Sequence, residues 1–333
     1  MTDLGNDRDE TRDRRAFLPR HFVFLLVADF SMMPFTAAIE PLRVANRMHG
    51  GEPYSWRTAS LDGGPVTASN GASVQVDGAL ADCDSCDAII VCSGIGVAAR
   101  FGEAMNAQLR RISRRGAMVG SVCTGSAILA DAGLLDQHRC TIHWEDIETF
   151  AENYPRLQVT RSLFEIDHDR FTCSGGTAPL DLMLHFITAD FGRELGAVVA
   201  DQMLHHSARK SSEPQRLALS ERTGVRHNGL LDVIAAMEDH LENTLPLGEL
   251  ARRGRMSLRQ MERLFIRELA VKPARYYREL RLSRARQLIR QTGMTMTQIA
   301  VSTGFSSAPH FAKSYRAAFG IAPSADRKAL RRQ

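Results

Sequence analysis

The chain has 333 residues, of which 44% are hydrophobic and 24% are charged, so it is long enough for two domains that each bury a core. Its longest uninterrupted apolar run, at residues 22–28, is shorter than the roughly 20 residues that a membrane-spanning helix needs. Residues 1–20 are rich in Asp, Glu and Arg, which predicts a disordered tail rather than a signal peptide. We therefore expect a cytoplasmic protein with no membrane partner.

The charge is unevenly distributed along the chain. The net charge is +4, but residues 221–333 hold 21 Lys and Arg against 10 Asp and Glu. Those residues carry a net charge of +11, and residues 1–220 carry −7. A basic C-terminal third on an acidic body predicts a module that binds a polyanion, joined to a domain with a different task.

Short apolar strands alternate with helices in the first two thirds of the chain. We predict strands at residues 22–28, 88–92 and 117–122, and helices at residues 37–48, 101–114, 124–132, 180–191 and 195–208. Strands that are apolar throughout predict a parallel sheet with helices on both faces, an α/β flavodoxin-like sandwich over residues 21–208. Residues 209–224 are polar and contain Pro214 and Gly224, which predicts a linker to an all-α domain at residues 225–333.

A cysteine stands at the junction of a predicted strand and a predicted helix. Cys123 lies in the sequence VGSVCTGS, whose small residues predict a tight turn that exposes the side chain at the carboxyl end of the sheet. The helix N-terminus next to it is expected to lower the pKa of the thiol. His143 follows 20 residues later, and a Cys-His pair is the minimum for nucleophilic catalysis. The loop with Gly94 and Gly96 offers backbone N–H donors to a bound anion or carbonyl.

The C-terminal third contains an internal repeat. Residues 250–257 recur at residues 299–306 with an offset of 49, and residues 261–273 recur at residues 311–323 with an offset of 50. Each copy predicts a short helix, a turn with glycine, an N-capping serine (Ser257 or Ser306) and a second helix. This is the layout of a helix-turn-helix, so the domain contains two of them in tandem.

The second helix of each copy carries the predicted DNA contacts. In the first copy Arg259, Arg263 and Arg267 follow one another at helical spacing, opposite an apolar face, where they can meet base edges and phosphates. The alternative is a solvated charged face. The candidate DNA-binding residues are Ser257, Arg259, Gln260, Glu262, Arg263, Arg267, Ser306, Ser307, Pro309, His310 and Lys313. The connecting helix at residues 273–292 spans about 30 Å, which suits recognition helices in successive major grooves.

Residues 247–327 resemble the AraC/XylS DNA-binding domain. The resemblance rests on residues 281–288 (RLSRARQL), residues 299–306 (IAVSTGFS) and residues 319–323 (FGIAP). Ala270 departs from the family pattern, which often has glycine there. The resemblance implies promoter DNA as a partner, and we expect slight strain at the helix end that Ala270 forms.

Residues 22–208 resemble the class I glutamine-amidotransferase-like domain of the PfpI-like superfamily. The resemblance rests on the turn at Cys123 and on His143 downstream of it. The superfamily's enzymes generally add a carboxylate, either soon after the first strand or beside the histidine. Residues 29–35 (DFSMMPF) place apolar residues or proline at the first of these positions, and Glu145 and Asp146 remain candidates at the second. Joined to the AraC-type domain, the chain resembles the GlxA-type transcriptional regulators. Residues 40–46, 140–145, 160–164 and 173–177 resemble the subgroup that includes regulators of glycine betaine, carnitine and arginine catabolism.

We expect a ligand site at the carboxyl end of the sheet. Its candidate residues are Phe30, Ser31, Phe35, Glu40, Gly94, Gly96, Cys123, Thr124, His143 and Trp144. Aromatic faces with a carboxylate suit a quaternary or alkylated ammonium; alternatively, the aromatic residues are core and Glu40 is a surface charge. Cys83 and Cys86 lack the two further ligands of a structural zinc site, and no glycine spacing matches a phosphate loop, so we expect no metal and no cofactor.

The combined expectation is a transcriptional regulator without enzymatic activity. An amine or amino-acid-like effector binds the N-terminal domain, and the C-terminal domain binds promoter DNA. From the resemblance we expect activation of catabolic genes, contact with RNA polymerase and a homodimer. The alternative is an amidase, protease or deglycase that uses Cys123 and His143.

Overall fold

The structure, a computed structural model, describes residues 18–83, 85–94 and 102–330. The chain forms two compact units, Met1–Gln215 and Arg216–Gln333. Within the described ranges, every helix is too short or too polar to cross a bilayer.

The first unit is built on a seven-stranded sheet. Its strands, with those of two small two-stranded sheets, are β1 (His21–Leu26), β2 (Ser55–Ser60), β3 (Val66–Thr67), β4 (Ser73–Val74), β5 (Gly78–Ala79), β6 (Ala88–Cys92), β7 (Met118–Val122), β8 (Arg139–Cys140), β9 (Gln158–Val159), β10 (Phe164–Asp167) and β11 (Arg170–Cys173). The large sheet has the order β10-β11-β7-β6-β1-β2-β5. Its neighbouring strands are parallel except for the β10–β11 hairpin, which confirms the predicted α/β fold.

Helices cover both faces of this sheet. They are α1 (Met32–His49), α2 (Glu103–Arg114), α3 (Gly125–Asp131), α4 (Ile147–Asn153), α5 (Ala178–Phe191) and α6 (Arg193–Gln202). In β1, Phe22 and Phe24 enter the core beneath α1, α5 and α6, whereas Val23 and Leu25 enter the core beneath α2, α3 and α4. The strand is apolar at every position after His21 because both of its faces are buried there.

The predicted linker at residues 209–224 is divided between the two units. Arg209 donates hydrogen bonds of 2.6–3.0 Å to both oxygens of the Asp181 carboxylate, which is fully buried. Gln215 donates to the carbonyl of Ile142 at 3.0 Å and is the last residue of the first unit. Polar composition predicted a linker, but these polar groups are bonded to the first unit. Residues 209–215 therefore belong to that unit, which corrects the predicted boundary.

The second unit is all helical, as predicted. Its helices are α7 (Leu219–Thr223), α8 (Asn228–Asp239), α9 (Leu247–Arg253), α10 (Leu258–Leu269), α11 (Pro273–Gln291), α12 (Met296–Ser302), α13 (Ala308–Phe319) and α14 (Pro323–Leu330). Two cores lie along α11: Tyr277 packs with α8, α9 and α10, and Leu282 and Leu288 pack with α12 and α13. The long helix therefore joins two small helix-turn-helix units.

Candidate functional site

Cys123 forms the predicted turn between β7 and α3. Its φ of 60° lies in the left-handed region, which is unusual for a residue with a side chain. Its N–H donates to the carbonyl of Cys173 at 3.0 Å. Gly175 packs so closely that a Cβ there would lie 3.1 Å from Cα of Cys123. The end of β11 and the loop after it therefore hold the turn, which we call the Cys123 elbow.

The thiol of Cys123 has a raised pKa, not the lowered pKa that the helix N-terminus predicted. Burial raises it to about 12, and the side chain is only 8% exposed. A hydrogen bond from the Thr124 N–H acts in the opposite direction but is outweighed. The thiol is thus neutral at pH 7, and the thiolate prediction is wrong because desolvation exceeds the effect of a seven-residue helix.

His143 adjoins the elbow through its backbone. Its N–H lies 3.4 Å from the carbonyl oxygen of Cys123, and its Nδ1 accepts from the Glu145 N–H at 3.4 Å. Burial lowers the pKa of the imidazole. Among the described residues no hydrogen bond joins the His143 ring to the Cys123 thiol. The pair therefore lacks the contact that proton transfer between them requires.

The predicted aromatic residues divide between core and elbow. Phe30 and Phe35 are buried in the core under α1, with ring centroids 5.7 Å apart in an edge-to-face arrangement. The ring of Trp144 instead lies 5.6 Å from that of His143. Glu40 forms an ion pair of 2.7 Å with Arg43 on the exposed side of α1, so it is a surface charge. The structure thus agrees with the alternative interpretation for Phe30, Phe35 and Glu40.

The loops after β1, β6 and β7 meet beside the elbow. Thr124 Oγ1 donates to the Gly94 carbonyl at 2.6 Å, and the Ser31 N–H donates to the Ser93 carbonyl at 3.2 Å. A Cβ on Gly94 would lie 2.3 Å from the carbonyl oxygen of Asp29, so this position requires glycine. Gly96 lies outside the described residues. The carboxyl ends of parallel strands are where ligands of such sheets bind.

A buried hydroxyl in this region was not predicted. Ser93 Oγ is inaccessible to solvent and has no hydrogen-bond partner among the described residues. A buried polar group without a partner costs free energy unless a ligand or an ordered water satisfies it. The sequence placed this serine in the loop after β6, but only the structure shows that its hydroxyl is buried.

The first helix-turn-helix, α9 and α10, presents an exposed basic face. Ser257 and Gln260 cap α10 in a reciprocal capping box, so both have a structural role at its N-terminus. Arg259 and Arg263 form no ion pair with the described residues, whereas Arg267 is paired with Glu268 at 2.6 Å. One open groove lies along this face. It is lined by Arg259, Glu262, Arg263, Ile266, Arg267 and Lys272.

The second helix-turn-helix, α12 and α13, differs at its cap. Ser307 is the N-cap of α13 and accepts from the His310 N–H, so the predicted cap at Ser306 is wrong by one residue. The offset of 50 therefore already applies at the cap. Pro309 lies in the first turn, and His310 and Lys313 are exposed on the helix. This face carries fewer positive charges than that of α10.

Comparison with known proteins agrees with both halves of this architecture. Residues 22–189 match the DJ-1/PfpI family, and residues 250–329 match a helix-turn-helix domain family. The HTH-type transcriptional regulator CdhR of Pseudomonas aeruginosa is 45% identical over 94% of this chain and 93% of its own length. The regulator GbdR of the same species is 42% identical over 93% of this chain and 84% of its own length. This chain belongs to that family of HTH-type transcriptional regulators.

A solved structure extends the comparison. An AraC family transcriptional regulator from Pseudomonas putida is 27% identical, with a TM-score of 0.52 over 56% of this chain and 100% of that chain. The predicted combination of a PfpI-like domain with an AraC-type domain is confirmed. The chain is a DNA-binding transcriptional regulator, as its relatives over most of its length are regulators.

One arginine of the regulator has a structural role that sequence reasoning did not assign. Arg281 on α11 donates to the carbonyls of Thr303 and Gly304 at 2.7 and 2.6 Å. Its guanidinium also lies 4.3 Å from the ring centroid of Phe305. Arg281 therefore fixes the turn between α12 and α13 to the connecting helix. Its place in the RLSRARQL motif was the available signal, but the partners are distant in sequence.

Proposed function

We propose that this regulator activates catabolic genes when a small amine or amino-acid-like effector binds at the Cys123 elbow. The observation that carries the proposal is the buried Ser93 hydroxyl, which has no partner among the described residues and lies where the loops after β1, β6 and β7 meet. An effector with a hydrogen-bonding group satisfies that hydroxyl. The neutral Cys123 thiol contributes a polarizable contact rather than a nucleophile.

The charge near the elbow favours a cationic group in the effector. Burial is the main cause of the raised pKa of Cys123, and the carboxylates of Asp146 and Glu145 raise that pKa further. Their negative potential therefore reaches the thiol. Trp144 precedes them and contacts the His143 ring. An aromatic face with nearby carboxylates attracts an ammonium by cation–π and Coulomb interactions. A quaternary amine or a basic amino acid is the class that fits best.

Residues 209–215 are suited to report the binding of the effector. Arg209 donates to Thr177 Oγ1 at 2.8 Å, two residues after Gly175, which packs against Cys123. Gln215 donates to the carbonyl of Ile142, the residue before His143. Both ends of this segment therefore bond to loops that touch the elbow, and the DNA-binding unit begins at Arg216. An effector that prefers one arrangement of these loops shifts the regulator toward it.

The remaining parts of the proposal follow from the DNA-binding role. We expect a cytoplasmic homodimer that binds promoter DNA and contacts RNA polymerase. Light scattering on the full chain tests the dimer. Transcription in vitro from the cognate promoter, with and without the effector, tests the sign of regulation.

A thermal-shift screen of the full chain tests the effector class. The panel contains betaines, carnitine, sarcosine and basic amino acids, and a ligand at 100 times its Kd stabilises its domain by about 2.7 kcal/mol. We expect a hit that is recovered unchanged and whose shift is lost in Trp144→Ala. Glu40→Gln is the matched control and should keep the shift, because Glu40 pairs with Arg43 at the surface. Consumption of the hit, abolished by Cys123→Ala, would contradict the sensor role.

A further inference from the structure

We propose that His138, Asp167 and His168 form a site for a divalent transition-metal ion, with Zn²⁺ as the best match. The three residues lie in the first unit, at the end of the sheet opposite the elbow. Asp167 is the last residue of β10, His168 begins the turn between β10 and β11, and His138 immediately precedes β8. One ligand atom from each residue lies within 4.8 Å of the other two.

The distances between the donors approach those of a bound ion. His168 Nδ1 lies 2.7 Å from Asp167 Oδ1, and His138 Nδ1 lies 3.7 Å from Asp167 Oδ2. Zn–N and Zn–O bonds of about 2.0–2.1 Å place two ligands of a tetrahedral ion about 3.4 Å apart. The observed distances lie on either side of that value. A bound ion would therefore require His168 Nδ1 to move away from Asp167 Oδ1 and His138 Nδ1 to move toward Asp167 Oδ2.

Around the cluster, His138 has an imidazole nitrogen without a hydrogen-bond partner among the described residues, while His168 Nδ1 shares a hydrogen bond with Asp167 Oδ1 that an ion would replace. The unpartnered nitrogen, His138 Nδ1, is buried. Asp167 Oδ2 accepts the backbone N–H of Arg139 at 2.8 Å, which orients the carboxylate. The side chain of Arg139 lies 3.3 Å from Glu165 rather than pairing with Asp167. The cluster is thus one carboxylate and two imidazoles without an arginine salt bridge to Asp167 in the described structure.

The donor set selects the class of ion. Two imidazole nitrogens and one carboxylate favour Zn²⁺ and its first-row neighbours over Mg²⁺ and Ca²⁺, which prefer oxygen ligands. The side chain of His168 is 83% exposed, so an ion can enter from solvent and water can complete its coordination. A bound ion would link the β10–β11 turn to the entrance of β8.

Titration of the chelator-treated full chain with Co²⁺ tests the site, because the absorption spectrum of Co²⁺ distinguishes nitrogen and oxygen ligands from thiolates. We expect one equivalent to bind with visible d–d bands and without an intense near-ultraviolet thiolate band. Competition with Zn²⁺ should remove this spectrum. In His168→Ala and Asp167→Asn we expect the affinity to fall at least about 10-fold.

His206→Ala is the matched control, because it removes another exposed histidine of the same unit. It should bind Co²⁺ as the unaltered chain does. Circular dichroism of metal-free His168→Ala should match the parent, since the side chain of His168 is 83% exposed. Equal affinity in all variants, no binding by the unaltered chain, or a thiolate band that places the ion on cysteines would each overturn the proposal.

Discussion

The two helix-turn-helix units share a layout but distribute their charge and their stabilising contacts differently. The first exposes Arg259 and Arg263 without ion pairs to described residues and ends α10 at Ala270. The second has a less basic α13 that ends at Gly320. Both keep apolar core residues and an N-capping hydroxyl. Repetition of this fold therefore requires the core and the caps, while the exposed faces can diverge toward different parts of the DNA.

Their interior polar contacts differ as well. In the first helix-turn-helix, Tyr277 donates to the carbonyl of His240 and accepts the Leu245 N–H at 3.3 Å. In the second helix-turn-helix, Tyr315 donates to the buried Asp326 at 2.6 Å, and Arg286 donates to the same carboxylate at 3.0 Å. The second helix-turn-helix thus depends on buried charge, which makes it the more sensitive to mutation and to acid.

The largest effect is expected for Arg281→Ala, which affects the second helix-turn-helix selectively. It removes two charged hydrogen bonds to backbone carbonyls and the contact with Phe305. We expect a loss of about 3 kcal/mol in the free energy of unfolding, measured by urea denaturation of the full chain. Arg281→Lys should recover only part of it, because an ammonium cannot reproduce the guanidinium fork. A loss below about 1 kcal/mol would contradict the role given to Arg281.

The second-largest effects are expected for substitutions on the DNA-binding faces, where the two helix-turn-helix units should differ in the DNA affinity that they lose. We expect Arg263→Ala to weaken binding to a promoter fragment by about 2 kcal/mol and to relax sequence preference, because α10 offers the bases arginines without ion pairs to described residues. Lys313→Ala should cost less binding free energy, because we expect Lys313 to contact a phosphate. Its loss should also reduce the dependence of DNA affinity on salt concentration. Fluorescence anisotropy on specific and scrambled DNA measures both. Arg193→Ala in the first unit is the charge-matched control, and equal losses in all three variants would refute the assignment.

Acid should destabilise the second helix-turn-helix through Asp326. Burial acts to raise the pKa of this carboxyl, but hydrogen bonds from Tyr315 and Arg286 hold it below its usual value. Since the folded pKa is lowered, its stabilisation is present above the ordinary carboxyl pKa and is lost as pH falls through the folded value. Asp326→Asn should cost about 1–2 kcal/mol at pH 7 and remove this part of the acid dependence. Unfolding measured from pH 7 to pH 3 compares the two, and parallel curves would exclude Asp326 as the source.

The smallest effects should come from the helix ends. Ala270 has a φ of 54°, a left-handed conformation that costs a residue with a Cβ about 1 kcal/mol, so Ala270→Gly should stabilise by about that amount. Gly320 has a φ of 73°, and no described atom outside its own turn lies within 4 Å of where a Cβ would stand. Gly320→Ala should therefore cost a similar amount through the backbone alone. Urea denaturation measures both, and changes of the same sign would show that the two ends are not equivalent.

Much of the fold was predictable because both faces of the sheet are covered. β6 and all of β1 after His21 are continuous apolar runs, β7 contains only small or apolar residues, and the helical repeat is visible as an offset of 49 to 50 residues. β2 (SWRTAS) and β11 (RFTC) contain polar residues, so the search for apolar runs did not predict them as strands. In the sheet, both pair with apolar strands. The parallel pairing of β11 with β7 joins residues distant in sequence, which local patterns do not report.

The candidate site was predictable in position but not in chemistry. Small residues around Cys123 located the elbow, and Glu40 was expected to offer a carboxylate to the ligand. The structure instead pairs Glu40 with Arg43 and buries Phe30. Which side of a helix faces a pocket depends on how that helix packs. A rotation of the helix about its axis by one residue places different side chains at the pocket.

The sequence by itself determined the two-domain division, the tandem helix-turn-helix and the place of Cys123, because these depend on periodicity, capping and local turn residues. Only the tertiary structure decided that the thiol is neutral, that residues 209–215 belong to the first unit, and that Arg281 fixes a turn. Each of these depends on burial or on partners far along the chain. Desolvation and long-range hydrogen bonds exist only once the chain has folded.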